Sequence, residues 1–317
     1  MQENTTLNYI KNVLENMPTD WLNLTTHRLD IYNESLAKMQ FLEKFETLFN
    51  NNDSDLATLK ELPTAYDYIR LGHPLSCVLE WAIAKSYQLQ FENVISFDSK
   101  IIPVLAILRT NLLENKKTQI IYTNDLPTCF NSEILKNIYG YQFELKKVDN
   151  LNEVSEFDGS TIFISQHEEI SSFNLKSTID FHINLNSELG SVLLINVEEN
   201  ENYVSEIQHV RRRETIAMTP INCLSALNYL VKNTAFQHQK FDTVKNKTAV
   251  LNSIKEITGT NINPLVASSG LSIQYAIMMG LIDDAKENHP EKDIKFIVPT
   301  NCYGGTNDQA RRVAACL

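Results

Sequence analysis

Short apolar runs recur through the middle of the chain, each bounded by polar residues and several preceded by a stretch of helical periodicity. This alternation constrains the fold more than any other feature. Helical spacing over 75–87 precedes Val94-Ile95-Ser96-Phe97. Spacing over 103–113 precedes Ile120-Ile121-Tyr122, and 132–139 precedes an apolar run at 143–148. Further runs lie at 161–164, 178–183 and 192–195. Short strands separated by helices predict an α/β fold, with a mostly parallel sheet and helices on its faces.

The flanks read differently. Residues 1–60 form a helical N-terminal segment, with Leu7, Ile10, Val13 and Leu14, then Leu36, Met39, Leu42, Phe45 and Leu48, at helical spacing. An α/β module fills 61–240. From 241 to 317 the rhythm begins again: helix 250–257, strand 264–267, helix 272–282 and strand 294–298. This series parallels 75–87, 94–97, 103–113 and 120–122. An internal duplication and the generic rhythm of any such sheet both account for it.

Composition narrows the function classes. The 317 residues carry a formal net charge of −11, which disfavours a polyphosphate partner, so no nucleic-acid binding is expected. Arg211, Arg212 and Arg213 are flanked by Glu206 and Glu214 and read as a solvated helix face. The five cysteines are scattered without CxxC spacing, which predicts neither a zinc site nor a disulfide framework; Cys302 reads as a buried, inert thiol. His167-Glu168-Glu169 and Asp180-Phe181-His182 lack a helical i, i+4 ligand pair, so no metal is expected. With no apolar run of membrane-spanning length and no signal-peptide core at the N-terminus, a cytoplasmic protein is expected.

Two segments carry chemistry. In Pro264-Leu265-Val266-Ala267-Ser268-Ser269-Gly270-Leu271-Ser272-Ile273, small hydroxylated residues and a glycine open a helix whose first N–H groups lack intrahelical partners. Such a turn is either an anion site or an ordinary N-cap. The second is Pro299-Thr300-Asn301-Cys302-Tyr303-Gly304-Gly305-Thr306, an aromatic among glycines after an apolar run, suited to stacking on a planar ligand.

SSG followed, one helix and one strand later, by YGGT resembles the Cys/Met-metabolism (trans-sulfuration) family of pyridoxal-phosphate (PLP) enzymes. That group includes cystathionine γ-synthase, cystathionine lyases and O-acyl-homoserine sulfhydrylases. The resemblance implies a fold-type-I PLP-transferase-like architecture. It also implies that the Ser269-Gly270-Leu271 turn gives the N–H groups of Gly270 and Leu271 to the cofactor phosphate, while Tyr303 stacks on the ring. Asn246-Lys247-Thr248 stands where the family has Asn-Pro-Thr, without the proline. Tyr66-Asp67-Tyr68-Ile69-Arg70-Leu71-Gly72-His73-Pro74 resembles the family's Tyr-x-Tyr-x-Arg-x-x-Asn-Pro stretch, in which Tyr68 and Arg70 match residues that reach the phosphate across a subunit interface. The strand after it ends in Phe97-Asp98-Ser99-Lys100 instead of Ser-Gly, so the first module reads as one that kept its fold and lost its site.

PLP chemistry needs a lysine for a Schiff base, which in the family lies well downstream of this tyrosine. The chain is therefore expected to be truncated before its catalytic lysine. The complete protein is expected to be a homo-oligomer that binds PLP and an amino-acid substrate. Its implied reaction is elimination or replacement at the β or γ carbon of a sulfur-containing amino acid or an O-acyl-homoserine. The alternative is a non-catalytic relative serving as a regulatory or dimerisation module.

Overall fold

The computed structural model describes residues 2–23, 34–63, 65, 70–196, 202–237 and 242–317. A six-stranded sheet lies at its centre, in the order β1-β6-β5-β4-β2-β3. The strands are β1 (Val94–Phe97), β2 (Thr118–Tyr122), β3 (Glu144–Lys147), β4 (Ser160–Gln166), β5 (Phe181–Asn186) and β6 (Gly190–Ile195). β3, β2, β4 and β5 pair in parallel, whereas β6 runs antiparallel to both β5 and β1. Five strands thus share one direction, as the apolar runs predict, and β6 alone is reversed.

Register separates the two faces cleanly. Ile95, Phe97, Ile120, Ile162, Ile164, Phe181, Ile183, Leu193 and Ile195 share one face and pack on α5 (Ile102–Leu113) and α7 (Asn202–Glu214). On the opposite face, Val94, Val192 and Leu194 meet α4 (Pro74–Tyr87) and α8 (Pro220–Leu230). Ile121 and Phe163 of that face are covered by the 148–179 connection. Two helices near the N-terminus, α1 (Gln2–Asn16) and α2 (Glu34–Asn50), join the α4 side, where Tyr9, Phe41, Phe45 and Trp81 form one aromatic cluster. Two short helices complete this part, α3 (Leu56–Lys60) and α6 (Ser132–Asn137).

The reading of Arg211–Arg213 as a solvated face is overturned at its first member. Arg211 is fully buried, and its guanidinium donates to Glu80 at 2.8 Å and to the Ser96 carbonyl at 3.0 Å. A charge run shows which residues are ionised but not which of them turns inward.

Beyond residue 242 come α9 (Thr243–Thr258), α10 (Gly270–Asn288) and α11 (Gly304–Ala314). The strands expected at 264–267 and 294–298 are absent from the sheet. Ile294, Phe296 and Val298 do pack against α10 and α11 while Ile297 is 95% exposed, which is the side-chain alternation of a strand. What these segments lack is a neighbouring chain to complete a hydrogen-bonded ladder, and periodicity alone carries no information about that neighbour.

Candidate functional site

The two glycine-containing turns come together. Gly270 is the first residue of α10, and Ser269 is its N-cap, with Oγ accepting from the Ser272 N–H at 3.1 Å. No hydrogen bond occupies the Gly270 or Leu271 N–H among the described residues, as befits the first turn of a helix. A Cβ on Gly270 would meet nothing within 4 Å, so the approach to these donors is open. Tyr303 is the N-cap of α11; its side chain caps nothing and is 62% exposed.

Gly305 is where the turns touch. A Cβ there would lie 2.6 Å from Tyr303 Cε1, 2.9 Å from Leu271 Cδ1 and 3.2 Å from an Arg213 guanidinium nitrogen. Only a hydrogen at this position lets the tyrosine ring, the α10 N-terminus and Arg213 converge. Side-chain amides fix the two helices. Gln309 donates to the Leu271 carbonyl at 3.0 Å, Gln274 donates to Gln309 at 2.8 Å, and Thr306 donates to Gln274 at 2.9 Å. Below them Tyr275, Met278, Met279, Ile282, Ala310 and Val313 form a separate small core.

Charge around the turns is mostly positive. Burial lowers the pKa of Arg212, and neighbouring Arg213 lowers it further, while nearby Tyr303 opposes the shift. Arg213 Nε lies 3.2 Å from Asp308, which also accepts from His209 at 2.7 Å and docks α11 on α7. Burial alone would raise the Asp308 pKa, but His209, Arg213 and Arg312 hold it below the usual carboxylate range. Sequence reading missed Arg212 and Arg213 as neighbours of this site. Their signal was local charge, and only tertiary packing brings α7 to the α10–α11 junction.

The remaining site candidates lie elsewhere. Tyr68 is outside the described residues. Arg70 is 6% exposed, and its carbonyl accepts from the Ala217 N–H between α7 and α8, so it sits inside its own chain. At the end of β1, Ser99 Oγ accepts from the N–H groups of Ile101 and Ile102 at the start of α5, at 3.3 and 3.2 Å. Burial raises the pKa of the adjacent Asp98. Here a serine side chain takes the N–H groups that open the helix, whereas at α10 Ser269 takes that of Ser272 and leaves those of Gly270 and Leu271 open. Cys302, expected to be buried, is partly exposed.

No family model and no curated protein matches the chain. Among solved structures, cystathionine gamma-lyase from yeast gives a TM-score of 0.43 at 12% identity, over 79% of this chain and 67% of that one. The metB structure from Corynebacterium glutamicum gives 0.38 at 13%, over 63% and 60%. Cystathionine gamma synthase from Xanthomonas oryzae pv. oryzae gives 0.34 at 12%, over 64% and 60%. The chain thus spans about 60% of the length of two of these three structures.

Proposed function

We propose that the paired turns at Gly270 and Tyr303 form the phosphate-and-ring site for PLP. The whole protein would then act on a sulfur-containing amino acid, or an O-acyl-homoserine, by elimination or replacement at the β or γ carbon. The observation that carries this reading is the convergence of an open helix N-terminus, an exposed tyrosine and Arg213 around Gly305. The donor set suits a phosphate dianion, because helix-end N–H groups and guanidinium groups both favour it. Gly270 and Leu271 would hold the phosphate, and Arg212 and Arg213 would balance its charge. Tyr303 would cover one face of the ring. When bound, PLP supplies the electron sink that such eliminations need.

The described contacts of the cluster include arginines and no lysine. In this reading no lysine of the described cluster supplies the Schiff-base amine. The self-capped first turn and the missing lysine contact also support the alternative of a non-catalytic relative acting as a regulatory or dimerisation module.

Binding of PLP and of pyridoxal, compared by equilibrium dialysis, separates the cofactor reading from an ordinary N-cap. Charge-assisted hydrogen bonds to the phosphate should favour PLP by about tenfold or more. Gly270→Val should remove that preference without unfolding the chain, while Tyr303→Phe should keep it. No single lysine should be fixed to PLP by borohydride. Equal binding of PLP and pyridoxal would reduce the SSG turn to a cap.

A further inference from the structure

Asp308 of α11 is shared between two basic side chains of α7. Its Oδ2 lies 2.7 Å from His209 Nε2 and 3.2 Å from Arg213 Nε, so one carboxylate oxygen faces both. All three groups are partly shielded, with the side chains of His209, Asp308 and Arg213 33, 23 and 17% exposed. The contact to Arg213 is an ion pair without an aligned hydrogen bond, because Nε makes none among the described residues. Arg213 also reaches the other way: a terminal nitrogen of its guanidinium lies 3.2 Å from where a Cβ on Gly305 would stand. Asp308 thus holds Arg213 by charge, at the edge of the Gly270–Tyr303 turns.

One proton decides which neighbour neutralises Asp308. A carboxylate only accepts, so a neutral imidazole gives its Nε2–H to Asp308 and leaves Arg213 as the counter-charge. A second proton, on Nδ1, makes His209 a full counter-charge, and the charge of Arg213 then becomes available to an anion at the turns. Imidazoles make this change between about pH 5 and 8. The remaining ionisable groups on the packed elements are engaged elsewhere or belong to the site. Arg312 of α11 also acts on Asp308 but is paired with Glu206 of α7 at 2.8 Å, and Arg212 lies near Tyr303. From α5 and α10, which also pack on α7, come Arg109 and Tyr275; they bond each other at 3.1 Å, and Arg109 pairs with buried Glu214 at 2.6 Å.

We propose that His209 is a proton switch for the anion site at the Gly270–Tyr303 turns: its protonation takes over Asp308 and releases Arg213 for a phosphate-bearing ligand. This rests on the reading of those turns as a phosphate site and adds a control that the turns themselves lack. The coupling is reciprocal, so a dianion held by Arg213 draws a proton onto His209. Solvent access to the three side chains keeps it modest, at about fivefold in affinity.

Inorganic sulfate is the probe, because it stays a dianion where a phosphate monoester titrates, near pH 6. Its affinity for the full chain, measured by isothermal titration calorimetry at constant low ionic strength, should rise about fivefold from about pH 8 to about pH 5.5. Binding near the middle of that range should take up protons, seen as a heat that varies with the ionisation enthalpy of the buffer. His209→Gln, whose amide still donates to Asp308, should flatten the profile and abolish the uptake. Asp308→Asn should also flatten it, at the tighter affinity of the acid form, and circular dichroism should report both variants folded. Weaker sulfate binding by Asp308→Asn would mean that the carboxylate only holds the helices together, and would overturn the switch. So would a flat profile without proton uptake in the wild-type chain, or a profile that His209→Gln leaves unchanged, with the phosphate reading still standing. Equal sulfate binding by Gly270→Val, or none by the wild-type chain, would overturn the reading of the turns and the switch with it.

Discussion

Arg211 and Glu80 meet at 2.8 Å beyond the free edge of β1, and between them they satisfy both backbone groups of Ser96. Glu80 Oε1 accepts from the Ser96 N–H at 2.9 Å and Arg211 donates to the Ser96 carbonyl at 3.0 Å. Lys38 completes the cluster on the other carboxylate oxygen at 2.6 Å. An edge strand leaves such groups unpaired, and here a buried ion triad closes the edge in place of another strand. Burial would raise the Glu80 pKa, but Lys38 and Arg211 outweigh it and hold the carboxyl at about 2.

Removing one partner from this triad leaves the others charged and dry. Glu80→Gln is expected to cost about 3–5 kcal/mol, read as a fall in the urea midpoint with unchanged m-value. The pH dependence has a fixed sign. A carboxyl depressed in the fold contributes stability that is present above its unfolded pKa, near 4.3, and lost as pH falls toward about 2. Glu80→Gln should therefore flatten the acid limb of stability below about pH 4.5. An unchanged acid limb would mean that the carboxylate is not held by its cations.

His182 titrates in a different window. It points from β5 to the same face as Phe163, with ring centroids 5.9 Å apart, and is 1% exposed. Burial lowers its pKa to about 4; the Lys176 backbone opposes this, approaching the ring without completing a hydrogen bond. A histidine depressed in the fold stabilises it fully above its unfolded pKa of about 6.5, and the contribution fades as pH falls toward 4. His182→Phe should make the protein less sensitive to acid between about pH 6.5 and 4 and leave stability at pH 7.5 equal or higher. Thermal melts across that range check this. A steeper acid dependence in the variant would count against a neutral buried ring.

Much of the fold was legible because burial on both sides of a strand leaves a continuous apolar run. Val94–Phe97 is bounded in the sequence as in the structure, and α4 and α5 begin within one residue of their predicted starts. The last two strands were not legible as unpaired, because Ile294, Phe296 and Val298 alternate as a strand does whether or not a ladder forms beside them. At the site, the SSG and YGGT turns announced themselves through glycine and hydroxyl residues. Arg213 did not, because its place depends on how α7 crosses the start of α11, and the aspartate that orients it lies 95 residues away, at Asp308.

The two site glycines should respond oppositely to the same substitution. Gly270→Ala adds a methyl to open space and should change stability by less than about 0.5 kcal/mol. Gly305→Ala drives a methyl against Tyr303, Leu271 and Arg213, and overpacking of this kind costs about 1–3 kcal/mol. The loss should appear in chemical denaturation, with a matching change in the near-ultraviolet signal of Tyr303 that Tyr303→Phe removes. Equal tolerance of both changes would mean that the turns do not converge at Gly305.

Local stability should divide the chain near residue 242. Apart from its exposed edge strand β3, the 94–195 sheet is buried on both faces, so its amides open only with the global fold, whereas α9 has no buried residue. In dilute solution trypsin should therefore cut first at Lys245 or Lys247, both exposed on α9, and leave the sheet module intact. The α10–α11 pair should resist longer than α9, because Tyr275, Met279 and Val313 share a core and Gln309 ties the helices together. Mass spectrometry of early fragments gives the order directly. If the sheet module and α9 are cut at equal rates, α9 has cover within its own chain.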